Sequence, residues 1–216
     1  RPPRSTPKPS SAASDVYKRQ LPNGVAVVDD LVYVANFGDG TVTVIDATTA
    51  TVDHTIPLVG AEPSHFAVDA ALGFAYLSLH GDGAVSYLHM GARWNYLPGV
   101  PEAYGIAFDP TGRLLYVGNR GFHHSVTVVD VGPNNIVDVF DVGREPYMLG
   151  VNPNTGHLFV VSRDEVQVRR TADAGLVVTL PLPIGAEEGI AVDVVRNRVY
   201  ITSRDADMVT VVQDSP

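Results

Sequence analysis

Apolar and polar residues alternate along most of this chain in short runs, and turn-forming residues separate the runs. Residues 104–121, YGIAFDPTGRLLYVGNRG, show the pattern: an apolar run, the tetrad Asp-Pro-Thr-Gly, and a second apolar run. Such a pattern predicts two antiparallel strands joined by a tight turn. Helical periodicity is absent throughout, so the sequence predicts an all-β protein.

The same phrase recurs at residues 22–38, 63–81, 146–164 and 187–205, and the second run of each copy carries one aromatic residue, which we call the marker. The markers are Tyr33, Tyr76, Tyr116, Phe159 and Tyr200, at steps of 43, 40, 43 and 41 residues. A period of roughly 40–45 residues is typical of propeller blades. Each full period holds four β-like runs, and four-stranded units bury their faces by stacking around an axis. The sequence therefore predicts a β-propeller.

Five repeats are visible, starting near residues 22, 63, 103, 146 and 187, and the fifth has no fourth run after MVTVVQD. Two architectures fit this count. The segment before Leu21 supplies the missing strand of a five-bladed ring, or the chain is part of a larger ring. An unpaired outer strand would expose backbone groups, so we also expect self-association through an open blade edge.

Several phrases resemble the repeats of YVTN-type β-propellers. YVAN, YLSL, YVGN, FVVS and YITS are similar to that family's Tyr-Val-Thr-Asn strand, TVTVID and SVTVVD to its third strand, and TIPLVGAEP and VFDVGREP to its fourth strand and following loop. The resemblance covers about residues 21–216. It implies a propeller, often of seven blades, and a periplasmic, secreted or cell-surface location.

Composition divides the chain at residue 21. Residues 1–20 are rich in proline and carry a net charge of +4, so we interpret them as a disordered tail or an artificial sequence remnant. Residues 21–216 form the propeller domain; they carry a net charge of −13, with ten arginines and no lysine. So acidic a domain is unfavourable for nucleic-acid binding. No apolar run is long enough to span a membrane, and the absence of cysteine excludes thiolate chemistry.

The charged residues recur at fixed places in the repeat. Five of the six glutamates lie in the loops that precede the first strand of a blade, and the residue four after each marker is usually arginine or histidine. The resemblance to YVTN-type propellers implies that both loops open on one face, where the first strands line the central channel. We therefore predict a polar rim for a small polar ligand or a protein partner, formed by Glu62, Glu102, Glu145, Glu187, His65, His80, Tyr104, Tyr147, Arg120, Arg163 and Arg204.

Other interpretations compete with this ligand rim. The glutamates and arginines could simply pair adjacent blades. A lactonase-like or lyase-like enzyme would instead use His and Glu of this face as acid–base groups. The aspartates of turns such as Asp109-Pro-Thr-Gly are expected to accept backbone N–H bonds rather than to catalyse. The histidines, including His123-His124, do not form a metal motif, and no cofactor fingerprint is present, so we predict a non-enzymatic binding or scaffold propeller without metal or cofactor.

Overall fold

The structure is a computed structural model that describes residues 21–58, 61–183, 185 and 189–215. Residues 1–20 and Glu187, both named in the sequence analysis, lie outside the described residues. The regular elements of the described chain are the strands of five sheets, which we call blades one to five. Blade one consists of β1 (Pro22–Val28), β2 (Leu31–Asn36), β3 (Thr41–Asp46) and β4 (Thr51–Pro57). Blade two consists of β5 (Pro63–Asp69), β6 (Phe74–Leu79), β7 (Ala84–His89) and β8 (Ala92–Pro98).

The later blades repeat this arrangement. Blade three consists of β9 (Ala103–Asp109), β10 (Leu114–Asn119), β11 (Ser125–Asp130) and β12 (Asn135–Asp141). Blade four consists of β13 (Met148–Asn152), β14 (His157–Val161), β15 (Glu165–Arg170) and β16 (Leu176–Pro181). Blade five consists of β17 (Gly189–Asp193), β18 (Arg198–Ser203) and β19 (Met208–Gln213), and it has no fourth strand among the described residues.

Every blade is an antiparallel meander, in which strands adjacent in the chain are adjacent in the sheet. The blades follow one another in a ring, and their first strands are neighbours in the order β1, β5, β9, β13 and β17. This is the predicted all-β propeller of five blades. Within the described residues, β17 and β1 lack a comparable contact, so we call the place between blades five and one the seam.

The markers occupy equivalent positions, as predicted. Each is paired across the blade with a small residue of the first strand: Tyr33 with Ala26, Tyr76 with Ala67, Tyr116 with Ala107, Phe159 with Gly150 and Tyr200 with Ala191. In blades one to four the marker is fully buried, with at most 1% of its surface exposed. A small partner leaves room on that face of the blade for the aromatic ring, which packs against the next blade.

Each blade has two different apolar faces, and each pair of consecutive blades encloses one core. We call the marker side the trailing face and the opposite side the leading face. Between blades three and four, the core joins Tyr116, Val126 and Val128 of one trailing face to Leu149 and Val160 of the next leading face. The other three cores likewise join apolar residues of two consecutive blades.

The asparagine that ends the Tyr-Val-x-Asn phrase holds the second strand to the third. Asn119 donates from Nδ2 to the hydroxyls of Ser125 and Thr127, at 2.8 and 2.9 Å. Asn36 makes the equivalent bonds in blade one. Because these side chains are buried, pairing the amide with hydroxyls avoids the cost of an unsatisfied polar group.

Glycine brings the first strands close together near the channel. A Cβ on Gly105 would lie 2.2 Å from the backbone oxygen of Tyr147 in the next blade, and a Cβ on Gly24 would lie 2.4 Å from that of Ser64. No side chain fits at such a distance from backbone. These glycines therefore position the residues beside them at the channel mouth.

The turns between first and second strands carry the aspartates that the sequence analysis assigned to backbone bonding. Asp109 Oδ1 accepts from the backbone N–H of Thr111 at 2.8 Å, and Asp193 Oδ1 accepts from Val195 and Arg196. The prediction that these carboxylates shape turns is confirmed. Asp69 does more, since its buried Oδ2 also accepts from Nη1 of Arg113 in the next blade, at 3.0 Å.

Candidate functional site

A cavity of about 530 Å³ lies where the first strands of the blades begin; we call it the mouth cavity. Every blade contributes to its wall, through the start of a first strand or the loop after a second strand. The lining residues are Asn23, His65, Tyr104, Arg120, Tyr147, Met148 and Arg204. Five of the predicted rim residues are therefore brought together around one concavity.

Arg120 is the most constrained charged group of the mouth cavity. Its Nε donates to Glu145 Oε1 at 2.9 Å, across the boundary between blades three and four. Its guanidinium carbon lies over the rings of both Tyr104 and Tyr147, 4.4 Å from each centroid. Cation–π contact and a charge-assisted hydrogen bond together hold this side chain in one orientation.

Glu145 lies behind Arg120 and uses both of its oxygens within the protein. Oε1 also accepts from the backbone N–H of Gly121 at 3.3 Å, and Oε2 accepts from the hydroxyl of Tyr147 at 3.0 Å. Burial alone would raise the pKa of Glu145, but the bonds from Arg120, Gly121 and Tyr147 outweigh it and lower that pKa. The carboxylate is thus ionised and satisfied by its neighbours.

His65 contributes a neutral imidazole to the cavity wall. Burial lowers the pKa of His65 to about 4, the positive charge of Arg120 acts in the same direction, and the carbonyl of Tyr104 opposes them. The ring packs edge-on against Tyr104, with centroids 4.7 Å apart. Its Nδ1 is buried and has no hydrogen-bond partner of ordinary geometry within the described chain.

The second predicted pair, Glu62 and His80, lies beside the mouth cavity. Glu62 Oε2 is 3.0 Å from His80 Nδ1, within blade two. The His80 ring lies 6.1 Å from Tyr104 and 6.3 Å from Phe37, measured between centroids. This pair borders the cavity wall and does not line it.

Glu102 is arranged differently from Glu145, although both precede a first strand. Its backbone oxygen accepts from the N–H of Arg120 at 3.1 Å, while its Oε2 is buried without a hydrogen-bond partner among the described residues. Its carboxylate packs over Gly121, where a Cβ would lie 2.3 Å from Oε2. The arginine of blade three therefore pairs with the glutamate of the next blade and not with its own.

Arg163 lines a second cavity, of about 440 Å³, on the outer side of Tyr147. Tyr147 lines both this cavity and the mouth cavity, and the rest of the wall is formed by His124, Gly143, Arg144, Glu145 and Asp164. Arg163 itself is exposed. The structure therefore separates Arg163 from Arg120 and Arg204, which line the mouth cavity.

Blade one departs from the charged pattern. At the positions that hold Glu102 and Arg120 in blade three, it has Leu21 and Phe37, and the N–H of Phe37 bonds the oxygen of Leu21 at 3.1 Å. These two side chains line a more apolar cavity of about 370 Å³, which shares Asn23, Tyr104 and Arg120 with the mouth cavity. The rim is thus polar on one side and apolar on the other.

Two lining residues, Asn23 and Met148, were missed by the sequence analysis. Asn23 is equivalent to Tyr104, because Pro22 pairs with Asn36 as Ala103 pairs with Asn119. Blade one is shorter between these residues and its marker, which hid the equivalence. Aligning the asparagine that ends the second strand would have found it.

The described residues contain no cluster of three or more His, Asp or Glu side chains suited to a metal ion. They also contain no helix that could cross a membrane. The chemistry of the mouth cavity therefore consists of guanidinium, phenol, amide and neutral imidazole groups. Such a set can donate hydrogen bonds and attract negative charge.

The comparison with solved structures supports the fold. Hydrazine synthase from Kuenenia stuttgartiensis resembles this chain with a TM-score of 0.72, over 91% of this chain and 77% of that chain, at 16% sequence identity. No family model matches the sequence, and no curated protein matches it. At that identity the likeness shows a shared β-propeller fold and nothing about activity.

Proposed function

We propose that this protein is a non-enzymatic binding propeller of the YVTN type, exported or held at the cell surface, whose mouth cavity holds a small polar ligand. One observation carries the proposal: polar side chains from five blades converge on a single cavity of about 530 Å³. Cavities of roughly 300–1,000 Å³ with a few convergent polar groups are typical of small-molecule sites.

Binding accounts for the site better than acid–base catalysis does. A general base works best with a pKa near the working pH and with a second group that orients it. Burial lowers the pKa of His65 to about 4, and none of the described residues that line the mouth cavity is Asp or Glu. Glu145, the nearest carboxylate to Arg120, already uses both oxygens in internal bonds.

The proposal is tested by filling the cavity. Asn23 is exposed on the cavity wall, so Asn23→Trp blocks the mouth without disturbing a core. Asn95→Trp is the matched control, because Asn95 is an exposed asparagine on the outer strand of blade two. Calorimetric titration would compare wild type and both variants with succinate, inorganic phosphate, putrescine and glucose as probes.

We expect at least one probe to bind wild type and Asn95→Trp, and Asn23→Trp to lose that binding. The bound probe should be recovered chemically unchanged by mass spectrometry after prolonged incubation. Absence of binding by all four probes would overturn the proposal, as would binding that survives Asn23→Trp. Conversion of a bound probe would show an enzyme.

A further inference from the structure

The described lining of the mouth cavity carries cationic side chains, although the protein around it is acidic. Residues 21–216 carry a net charge of −13, whereas the described residues that line the cavity include two arginines and no acidic residue. Arg204, the second of these arginines, lies 3.4 Å from Asp205 outside the lining. Within the described residues, the carboxylate closest to this wall is Glu145, which is turned to Arg120 and Tyr147. A local positive lining inside an acidic protein favours a ligand of negative charge.

Arg120 has donors left for such a ligand. Its Nε donates to Glu145, and a further side-chain hydrogen bond joins it to Tyr147, so these two bonds use only part of the five N–H donors of the guanidinium. The side chain is about one-third exposed and lines the mouth cavity. A guanidinium presents its Nη groups as a planar fork that matches the two oxygens of a carboxylate or phosphate.

The orientation of that fork is set before any ligand arrives. Contacts with the rings of Tyr104 and Tyr147 fix the plane of the guanidinium, and the bond to Glu145 fixes its rotation. A pre-organised group loses less side-chain entropy on binding. Glu145 therefore acts as a positioning residue for Arg120.

Further donors surround the same space. Tyr104 and Asn23 line the mouth cavity with Arg120, and they add a phenol hydroxyl and an amide to it. The charge of Arg120 also lowers the pKa of His65, second only to burial, so this neighbour in the cavity wall stays neutral. Met148 contributes the one apolar contact of the lining.

We infer that the mouth cavity binds a small anion through a carboxylate or phosphate group, held by the Nη groups of Arg120. This inference rests on the proposed function, and it names the class of ligand. Succinate and inorganic phosphate test the two oxyanions. Succinamide is the matched neutral probe, because it keeps the size of succinate and removes its charge.

Three variants test the role of Arg120. Arg120→Lys keeps the positive charge and loses the planar fork, so anion affinity should fall at least about tenfold. Glu145→Gln keeps the size of the side chain and removes the competing negative charge, so affinity should rise about fivefold. Arg198→Lys, at an exposed arginine of blade five that bonds Gln213, should leave affinity unchanged.

Succinate or phosphate should bind wild type, and the binding should weaken as salt is raised, whereas succinamide should bind at least about tenfold more weakly than succinate. Thermal unfolding of each variant would show that it is folded. If Arg120→Lys does not fold, the rise in anion affinity expected for Glu145→Gln still tests the inference. Equal binding of succinate and succinamide would overturn the inference, and so would an unchanged affinity in Glu145→Gln. If glucose or putrescine binds the mouth cavity while both anions fail, the proposed function stands and the anion inference falls.

Discussion

Tyr116 in blade three donates a hydrogen bond from its hydroxyl to the backbone oxygen of Thr171 in blade four, at 2.9 Å. Tyr33 makes the corresponding link from blade one to blade two, where its hydroxyl oxygen accepts from the N–H of Gly91 at 2.8 Å. The marker aromatic is therefore more than a filler of the blade core. It joins its own blade to the hairpin of the next.

Tyr116→Phe should remove this link and keep the ring. We expect the free energy of unfolding to fall by about 1 kcal/mol, because the oxygen of Thr171 loses its partner. Urea denaturation would measure the change. Tyr200→Phe is the control, since the Tyr200 hydroxyl makes no hydrogen bond within the described residues, and it should cost much less. Equal losses in the two variants would contradict the assigned role.

Asp214 forms a buried brace between blades four and five. It accepts from His157 Nδ1 at 2.7 Å and from Asn152 Nδ2 at 2.8 Å, and both Asp214 and Asn152 are at most 5% exposed. Asp214→Ala leaves these two polar groups without their partner. We expect a loss of about 2–4 kcal/mol in the free energy of unfolding.

Asp53→Ala is the matched control for this brace. Asp53 pairs with His54 on the outer strand of blade one, where both side chains are largely exposed. Its removal should change stability by less than about 0.5 kcal/mol. A brace variant no less stable than this control would show that the buried cluster contributes little.

His65 should make stability depend on pH in mildly acidic solution. The folded protein keeps His65 neutral down to a pKa of about 4, whereas the unfolded chain takes up a proton near pH 6.5. The unfolded state therefore binds more protons between these values, and stability falls as pH is lowered through this window. We expect ~2 kcal/mol of this loss between pH 7 and pH 5.

Denaturation of wild type and His65→Gln at several pH values would measure that dependence. The variant should show a shallower decline between pH 7 and pH 5, because its amide does not titrate. Glu145 also contributes to the pH dependence of stability, but in a different pH range. Because its pKa is lowered in the folded protein, its stabilising effect is lost only as pH falls below about 4.5. Identical slopes in wild type and His65→Gln would refute the prediction.

The two sides of the seam expose apolar faces that are buried at every other blade boundary. On the trailing face of blade five, Val209 and Val211 are 57% and 53% exposed, whereas Val126 and Val128 of blade three are 0% and 4% exposed. On the leading face of blade one, Val25 is 66% exposed. Because these faces are complementary elsewhere in the ring, we expect the chain to self-associate head to tail at raised concentration.

Analytical ultracentrifugation would test this association. Val209→Asp should abolish it, and so should Val25→Asp, yet a mixture of the two variants should form a heterodimer through the one intact pair of faces. Val139→Asp is the control, since Val139 is an exposed valine on the outer strand of blade three, away from the seam. A strictly monomeric wild type would contradict the expectation.

The repeat made the fold predictable. It did not make predictable which glutamate of the rim pairs with which arginine. Glu102 precedes the blade that holds Arg120, and Glu145 precedes the next blade, so both were candidates to pair with it. The bond to Glu145 depends on how blade four is rotated against blade three, which brings its loop over Gly121. The period of the sequence carries no information about that rotation.

The brace at Asp214 was also beyond sequence reasoning, for a different reason. His157 and Asp214 are separated by 57 residues and belong to different blades. Their positions hold other residue types in the remaining repeats, such as Leu114 and Val131 in blade three, so no recurring pattern signals the pair. A contact that occurs at only one blade boundary leaves no repeated pattern in the sequence, so it is found only from the structure.

The distinction between leading and trailing faces also bears on how such proteins change over time. A blade whose front and back differ has a direction, like the monomer of a polymer with two unlike ends. Duplication of one blade-length stretch of the gene would insert a unit whose front fits the old back and whose back fits the old front. Interfaces of nearest neighbours alone decide the stability of such an array. Blade number can therefore change by whole units, while the two short loops that each blade contributes to the mouth cavity can change separately.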